Sequence, residues 1–262
     1  MSRTVALANQ KGGVGKTTTA INLGASLAAC ETKVLLVDLD PQSNATSGLG
    51  FPKDGSRGSI YSVLAGDGDI SQIIHNTELS GLDLVSSSVD LVGAELDLAE
   101  YEAPQFRLRE EIGAVRDRYD FILIDCPPSL SLLTVNGLVA ADSVLIPIQC
   151  EYFALEGVSQ LLETVRRVQS SLNPELEIEG ILLTMQDDRM NLSRQVSEEI
   201  RDFFGGQVYG TVIPRNVRLG EAPSFGKPVL LYDIKSRGSE AYLQLAREFI
   251  ARRRSIVGAE AS

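Results

Sequence analysis

Unbroken apolar runs alternate with stretches of helical period along this chain. Residues 5–9 form a short apolar run ending in a glycine-rich turn, and residues 17–29 follow with the spacing of a helix. Residues 33–38 (KVLLVD) and Phe121–Asp125 (FILID) are continuous β-branched and aliphatic runs without alternation, each ending in an aspartate, the pattern of strands buried on both faces of a parallel sheet. Residues 143–148, 178–184 and 208–213 predict further strands, and residues 155–172 and 192–204 predict helices. The alternation predicts an α/β fold, a doubly wound and mostly parallel sheet flanked by helices. Residues 48–68, rich in Gly, Ser and Asp, read as a surface excursion because strand signals resume on both sides. With no internal repeat, the 262 residues are expected to form one domain.

The turn after the first strand carries the first chemistry. It reads Gln10, Lys11, Gly12, Gly13, Val14, Gly15, Lys16, Thr17, so the phosphate-loop pattern GxxxxGK[ST] is met except that Gln10 stands where its first glycine belongs. Glycines let successive N–H groups curl around an oxyanion, and the following helix adds its positive end. Lys16 then reaches the terminal phosphates, and Thr17 offers Mg²⁺ a hydroxyl. A glycine turn made only for packing is the weaker reading, because GK[ST] at a strand-to-helix junction is specific. Lys11 is either a solvated lysine or a cation supplied in trans to a neighbouring subunit, as an arginine finger is.

Asp38, Asp40 and Asp125 follow strands of the same buried type. That places three carboxylates at the carboxyl edge of a parallel sheet, where ligands bind in such folds. Any one of them also suits a helix cap or a turn. With a phosphate loop upstream, they are expected to converge on it.

Composition then narrows the partners. A net charge of −11 argues against nucleic acid, but the charge is uneven. From Arg189 to the end there are 12 Lys and Arg against 8 Asp and Glu; residues 1–188 carry 12 against 27. The last third is where a polyanion would bind. Arg194 and Arg201 lie seven apart on one predicted helix, hence on one face, with Glu198 placed to pair with Arg194. Arg189, Arg215, Arg218, Lys227, Lys235, Arg237, Arg247 and the run Arg252, Arg253, Arg254 extend the basic set. A solvated surface is the plain reading of any one of them.

No segment approaches the roughly 20 apolar residues that span a bilayer, and no signal peptide precedes the glycine turn, so a cytoplasmic protein is expected. Cys30, Cys126 and Cys150 show no CxxC spacing and read as reduced thiols in or near the core. His75, the single histidine, reads as structural or surface, and metal ligation through it is unsupported.

The departures from the strict motif are themselves informative. KGGVGKT with its early lysine resembles the deviant Walker A loop of the ParA/MinD ATPase superfamily. Together with VDLDPQ, DCPPS and VIPRNVRLGEAPSFGKP it is similar to the chromosomal ParA (Soj) branch, from Thr4 to a helix ending near Arg254. The resemblance implies an ATPase that takes ATP and Mg²⁺ on Lys11, Gly12, Gly13, Val14, Gly15, Lys16, Thr17 and Thr18. It implies adenine contacts at Pro214 and Asn216, where composition alone reads a turn. It makes Asp40 the residue that orients the attacking water and Asp125 a support for Mg²⁺ through a water, with Thr17 completing the metal's surroundings. Lys11, Lys16, Asp40 and Asp125 become the catalytic set, with Pro41, Pro127 and Pro128 stiffening two switch segments.

The resemblance further implies a homodimer formed on ATP binding that grips double-stranded DNA without sequence preference. Arg189, Arg194, Arg218, Lys227, Lys235 and Arg247 are the candidate contacts. It also implies association with the nucleoid and a ParB-type partner that stimulates hydrolysis. Three alternatives stay open. A MinD-like membrane-associated ATPase needs a C-terminal amphipathic helix, and the tail ARRRSIVGAEAS lacks a sustained apolar face. An electron-transfer ATPase of the nitrogenase iron-protein type needs cysteines across a dimer. A nucleotide-gated scaffold needs no hydrolysis and differs in whether Asp40 matters.

Overall fold

The computed structural model describes residues 2–151, 154–187 and 189–260; for residues 95, 154–157 and 254–260 it describes the backbone alone. In chain order the strands are β1 (Arg3–Leu7), β2 (Val34–Asp38), β3 (Ile74–Asn76), β4 (Leu82–Val85), β5 (Phe121–Asp125), β6 (Ser143–Gln149) and β7 (Glu177–Thr184). The first helices are α1 (Lys16–Ala29), α2 (Asn44–Gly48), α3 (Ile60–Leu64), α4 (Ala94–Leu98), α5 (Arg107–Val115) and α6 (Leu132–Ala140). The later ones are α7 (Ala154–Ser171), α8 (Asn191–Phe204), α9 (Val217–Glu221), α10 (Val229–Tyr232) and α11 (Arg237–Glu260).

The seven strands form one sheet in the order β3-β4-β2-β5-β1-β6-β7, parallel throughout except for the edge pair β3 and β4. This is the doubly wound, mostly parallel architecture expected from the apolar runs. VLLVD and FILID are buried at every residue, since helices cover both faces. Leu7, Asp38 and Asp125 occupy the same level in register, Asp125 pairing with both of the others. The carboxyl ends of β1, β2 and β5 therefore open onto one edge.

One side of the sheet is covered by α1 and α11. Tyr242, Leu245 and Phe249 lie at helical spacing on α11 and are almost wholly buried, and Phe249 meets Phe121 edge-on at 5.4 Å. Burying each such side chain contributes about 1.5–3 kcal/mol. The other side buries α3, α5, α6 and α7 against β2, β5 and β6.

Two expectations are corrected. Residues 208–213 are not a strand. Tyr209 and Ile213 donate to the carbonyls of Ile181 and Leu183 as a strand would, but between them the amides of Gly210 and Thr211 both donate to the Glu248 carboxylate at 2.8 Å. A side chain of α11 thus takes the bonds that a regular ladder would have used. Residues 48–68 are not wholly a surface excursion, because Ile60, Val63 and Leu64 of α3 sit at 0% exposure in the core. Three apolar residues at helical spacing inside a Gly- and Ser-rich stretch suffice to plug it into the sheet.

Candidate functional site

The glycine loop leaves β1 at the carboxyl edge, and its conformation follows from its residues. Asn9 spans to the Pro147 carbonyl at 2.7 Å and accepts the Lys11 amide at 3.0 Å, fixing the turn's entry. Gly13 and Gly15 have φ of 76° and 91°, which a residue with a Cβ adopts only under strain. Val14 faces inward, 2% exposed, and its carbonyl accepts the Thr184 hydroxyl at 2.8 Å. Helix α1 then starts at Lys16, so its free N–H groups face the hollow of the loop.

A polar cavity of about 270 Å³ lies over this loop, walled by Gly12, Gly13, Lys16, Thr17 and, across from them, Asp40. Gln42, Asn44 and Pro128 close it from the segments after β2 and β5. Gly15, Thr18 and Met185 are shared with a second, mostly apolar cavity of about 340 Å³, whose far wall includes Pro214, Asn216, Leu219 and Tyr242. The two adjoin through these three residues, with charged and polar side chains concentrated around the first and apolar ones around the second.

Lys16 is 6% exposed, and its ammonium donates to the Lys11 carbonyl at 3.4 Å. Burial pulls its pKa down, while Asp125 and Asp40 pull it up. Asp125 is fully buried, and among the described residues neither carboxylate oxygen makes a well-formed hydrogen bond, the Thr17 hydroxyl beside it being too loosely placed to make more than a weak one. Burial, then the charge of Asp38, hold this carboxyl well above the ordinary carboxylate range, with Thr17 and Lys16 opposing. A buried acceptor left without a well-formed bond beside a threonine hydroxyl is the environment a divalent cation and its waters satisfy. Asp40 sits at 7% exposure, its carboxylate accepting the Gln42 amide at 2.9 Å. Among the described residues no group of three or more His, Cys, Asp and Glu is arranged to hold a metal by protein ligands alone.

Asp38, grouped with the others in sequence, does different work. Its carboxylate accepts from the amide and hydroxyl of Thr46, both at 2.7 Å, and from the Asp40 amide at 3.2 Å. It ties down the loop that carries Asp40 and Gln42.

Lys11 stands apart from the rest of its loop. It is absent from the cavity wall, its side chain is 34% exposed, and its ammonium meets Glu151 at 3.3 Å. Sequence reasoning missed Thr184, Met185, Leu219 and Tyr242 as wall residues. The end of β7 carried a signal for the first two, since it lies on the same sheet edge; Tyr242, on the last helix, carried none.

Much of the basic set is already engaged within the chain. Arg189 is held bidentately by Asp187, Arg218 pairs with Glu221 at 2.7 Å and Asp233 at 3.2 Å, and Lys227 pairs with Glu78 at 2.9 Å. Arg194 donates to Asn191, not to Glu198 as the spacing suggested. Arg252 stacks over Tyr209 at 4.0 Å and pairs with Glu248, and Arg253 lies over Phe121 at 5.1 Å. Among the described residues no carboxylate pairs with Lys235, Arg237 or Arg247, all three exposed. The Arg254 side chain lies outside the described residues. His75 stacks on Phe51 at 5.6 Å. Cys126 and Cys150 are buried and Cys30 is partly exposed, and burial pushes the Cys126 thiol far up. No described helix is long and apolar enough to cross a membrane.

Comparison with known proteins agrees with this geometry. Residues 2–178 match the family model described as AAA domain. The chain is 56% identical over 252 residues to the chromosome partitioning protein ParA of Myxococcus xanthus, covering 96% of this chain and 89% of that protein. It is 56% identical over 251 residues to the sporulation initiation inhibitor protein Soj of Bacillus subtilis, covering 96% and 99%. Among solved structures, one described as cobyrinic acid a,c-diamide synthase from Mycobacterium smegmatis with bound ADP and magnesium superposes with a TM-score of 0.86. Its identity is 38%, over 97% of this chain and 96% of that one.

Proposed function

We propose, from the premise that the chain belongs to the ParA/Soj family of chromosome-partitioning ATPases, that ATP converts it into a dimer that grips DNA. The observation that carries this reading is the position of Lys11. A lysine on the phosphate loop that leaves its own cradle free, about a third exposed and held only by a surface ion pair with Glu151, is available to the cradle of a second copy.

In this reading residues 1–262 act as a single ATPase domain. The loop amides from Gly12 to Thr18 and the Lys16 ammonium bind the phosphates, and Pro214 and Asn216 flank the base in the apolar cavity. Asp40 orients the attacking water. Lys11 of the second copy adds positive charge where negative charge builds on the transferred phosphoryl group. When bound, Mg²⁺ supplies the remaining charge neutralisation, and Thr17, Asp40 and Asp125 are the residues that hold it or its waters.

The dimer then binds double-stranded DNA without sequence preference and resides on the nucleoid, not on a membrane. Doubling the phosphate contacts steepens both affinity and salt dependence. Arg189, Arg194, Arg218, Lys227, Lys235 and Arg247 are the proposed contacts, with Lys235 and Arg247 available without breaking an ion pair. A ParB-type protein stimulates hydrolysis and so release. The test is ATP turnover by the purified chain alone, with DNA, with a ParB-type protein, and with both. Slow basal turnover raised several-fold only when both are present supports the reading; turnover indifferent to either contradicts it.

A further inference from the structure

The segment between β2 and β5 holds a surface that the nucleotide cleft does not use. From Gly58 to Phe106 the chain carries nine Asp and Glu and no Lys or Arg. A cleft of about 420 Å³ opens there, walled by Tyr61 and Ala65 of α3 on one side and by Asp97, Glu100 and Tyr101 on the other, with Asp67 at its end. Arg107 of the chain already lies over the Tyr101 ring at 4.9 Å and the Tyr61 hydroxyl donates to Asp97 at 3.0 Å, so the carboxylates of Asp67 and Glu100 and the Tyr61 ring are what the cleft offers a Lys or Arg side chain. Along its outer ridge Val89, Val92 and Leu96 are 58%, 70% and 78% exposed. These three large apolar side chains, at three- and four-residue spacing, stand exposed among the acids of the same segment.

The ridge is also wired to the polar cavity over the phosphate loop. The Val89 amide donates to the Lys53 carbonyl at 3.3 Å, and the Lys53 ammonium donates to the Gln42 carbonyl at 2.7 Å and to Asn44 at 3.1 Å. Two residues before Val89, the Ser87 hydroxyl donates to the Asp40 carbonyl at 2.8 Å. Gln42, Asn44 and Asp40 all line the polar cavity.

We infer that this ridge and cleft are the docking surface for a basic, amphipathic segment of the partner protein that stimulates hydrolysis. Its cationic side chain enters the Tyr61–Tyr101 cleft and its apolar side chains cover Val92 and Leu96. Charge complementarity selects this occupant. DNA and an anionic membrane are repelled by the same carboxylates. Docking bears on Asp40 and Gln42 through Ser87 and Lys53, which couples the partner to turnover. The inference rests on the partner-stimulated reading above.

The test uses the full chain with ATP and a purified ParB-type protein, comparing wild type with Leu96→Ser/Glu100→Lys and with Leu96→Met/Glu100→Asp. Both positions are exposed, so basal turnover and thermal midpoint are expected to stay at wild-type values. The first variant is expected to bind the partner at least tenfold more weakly and to lose its stimulation, and the conservative variant to retain both. Undiminished binding by the first variant overturns this surface while leaving the partner reading intact. A change confined to self-association, read by sedimentation, also overturns it, since the occupant is then a second copy. If wild type itself shows no binding, the partner reading fails and this inference with it.

Discussion

The hydroxyl of Thr19, one turn into the helix that follows the phosphate loop, lies 3.1 Å from the hydroxyl of Tyr242, and both groups are buried. Tyr242 also lines the apolar cavity. The last helix therefore fixes the floor of a site whose chemistry is carried almost entirely by the first 125 residues. Tyr242→Phe is expected to cost about 1–3 kcal/mol, the penalty of leaving a buried hydroxyl unpaired. Urea unfolding at constant m-value checks this, and an unchanged midpoint would mean that the contact contributes nothing.

Glu248 satisfies the amides of Gly210 and Thr211 and pairs with Arg252. Glu248→Ala should leave both amides without their protein acceptor and loosen the segment leading to Pro214. Amide hydrogen exchange in residues 208–213 is expected to accelerate at least tenfold, with exchange in β5 unchanged. Equal exchange in wild type and variant would remove Glu248 as the clamp.

Buried carboxylates set a pH dependence. Burial pushes Asp38 up to about 6, and burial together with the charge of Asp38 raises Asp125 well above the ordinary carboxylate range. An unfolded aspartate titrates near 3.9. Between about pH 4 and pH 6 the folded chain therefore holds protons that the unfolded chain has released, and these groups make stability fall as pH rises. In EDTA and without nucleotide, Asp125→Asn is expected to gain stability relative to wild type progressively across that window. A difference that stays constant with pH would contradict the assignment.

Lys11→Ala and Lys16→Ala separate the two lysines of the loop. Lys16 lies buried beneath the cradle, so its loss should weaken nucleotide binding at least tenfold. Lys11 stands outside, so its loss should leave nucleotide binding by the monomer unchanged and abolish ATP-dependent dimerisation and turnover. Fluorescent-nucleotide titration and sedimentation read the two effects independently. Weakened monomer binding in Lys11→Ala would place that lysine in its own site.

The site was legible where backbone chemistry is local. Glycines at positive φ, a lysine opening a helix and aspartates ending aliphatic strands carry their meaning in adjacent residues. What the sequence hid depends on distant partners. The ladder of residues 208–213 is replaced by Glu248, some 37 positions away. Asp38 differs from Asp40 only because Thr46 occupies its carboxylate. The charge count could not show that Arg189, Arg218 and Lys227 are already paired with acids. Helix spacing alone put Glu198 opposite Arg194, and a rotamer toward Asn191 undid it.

The most direct test is DNA binding by the purified chain across a salt series with ATP, ADP or no nucleotide, using wild type, Lys16→Ala and Lys235→Glu. Binding that needs ATP, ignores sequence, weakens steeply with salt and is lost in Lys16→Ala is the expected result, with Lys235→Glu lowering the salt slope by about one for each contact removed. Absence of ATP-dependent binding at low salt would contradict the account.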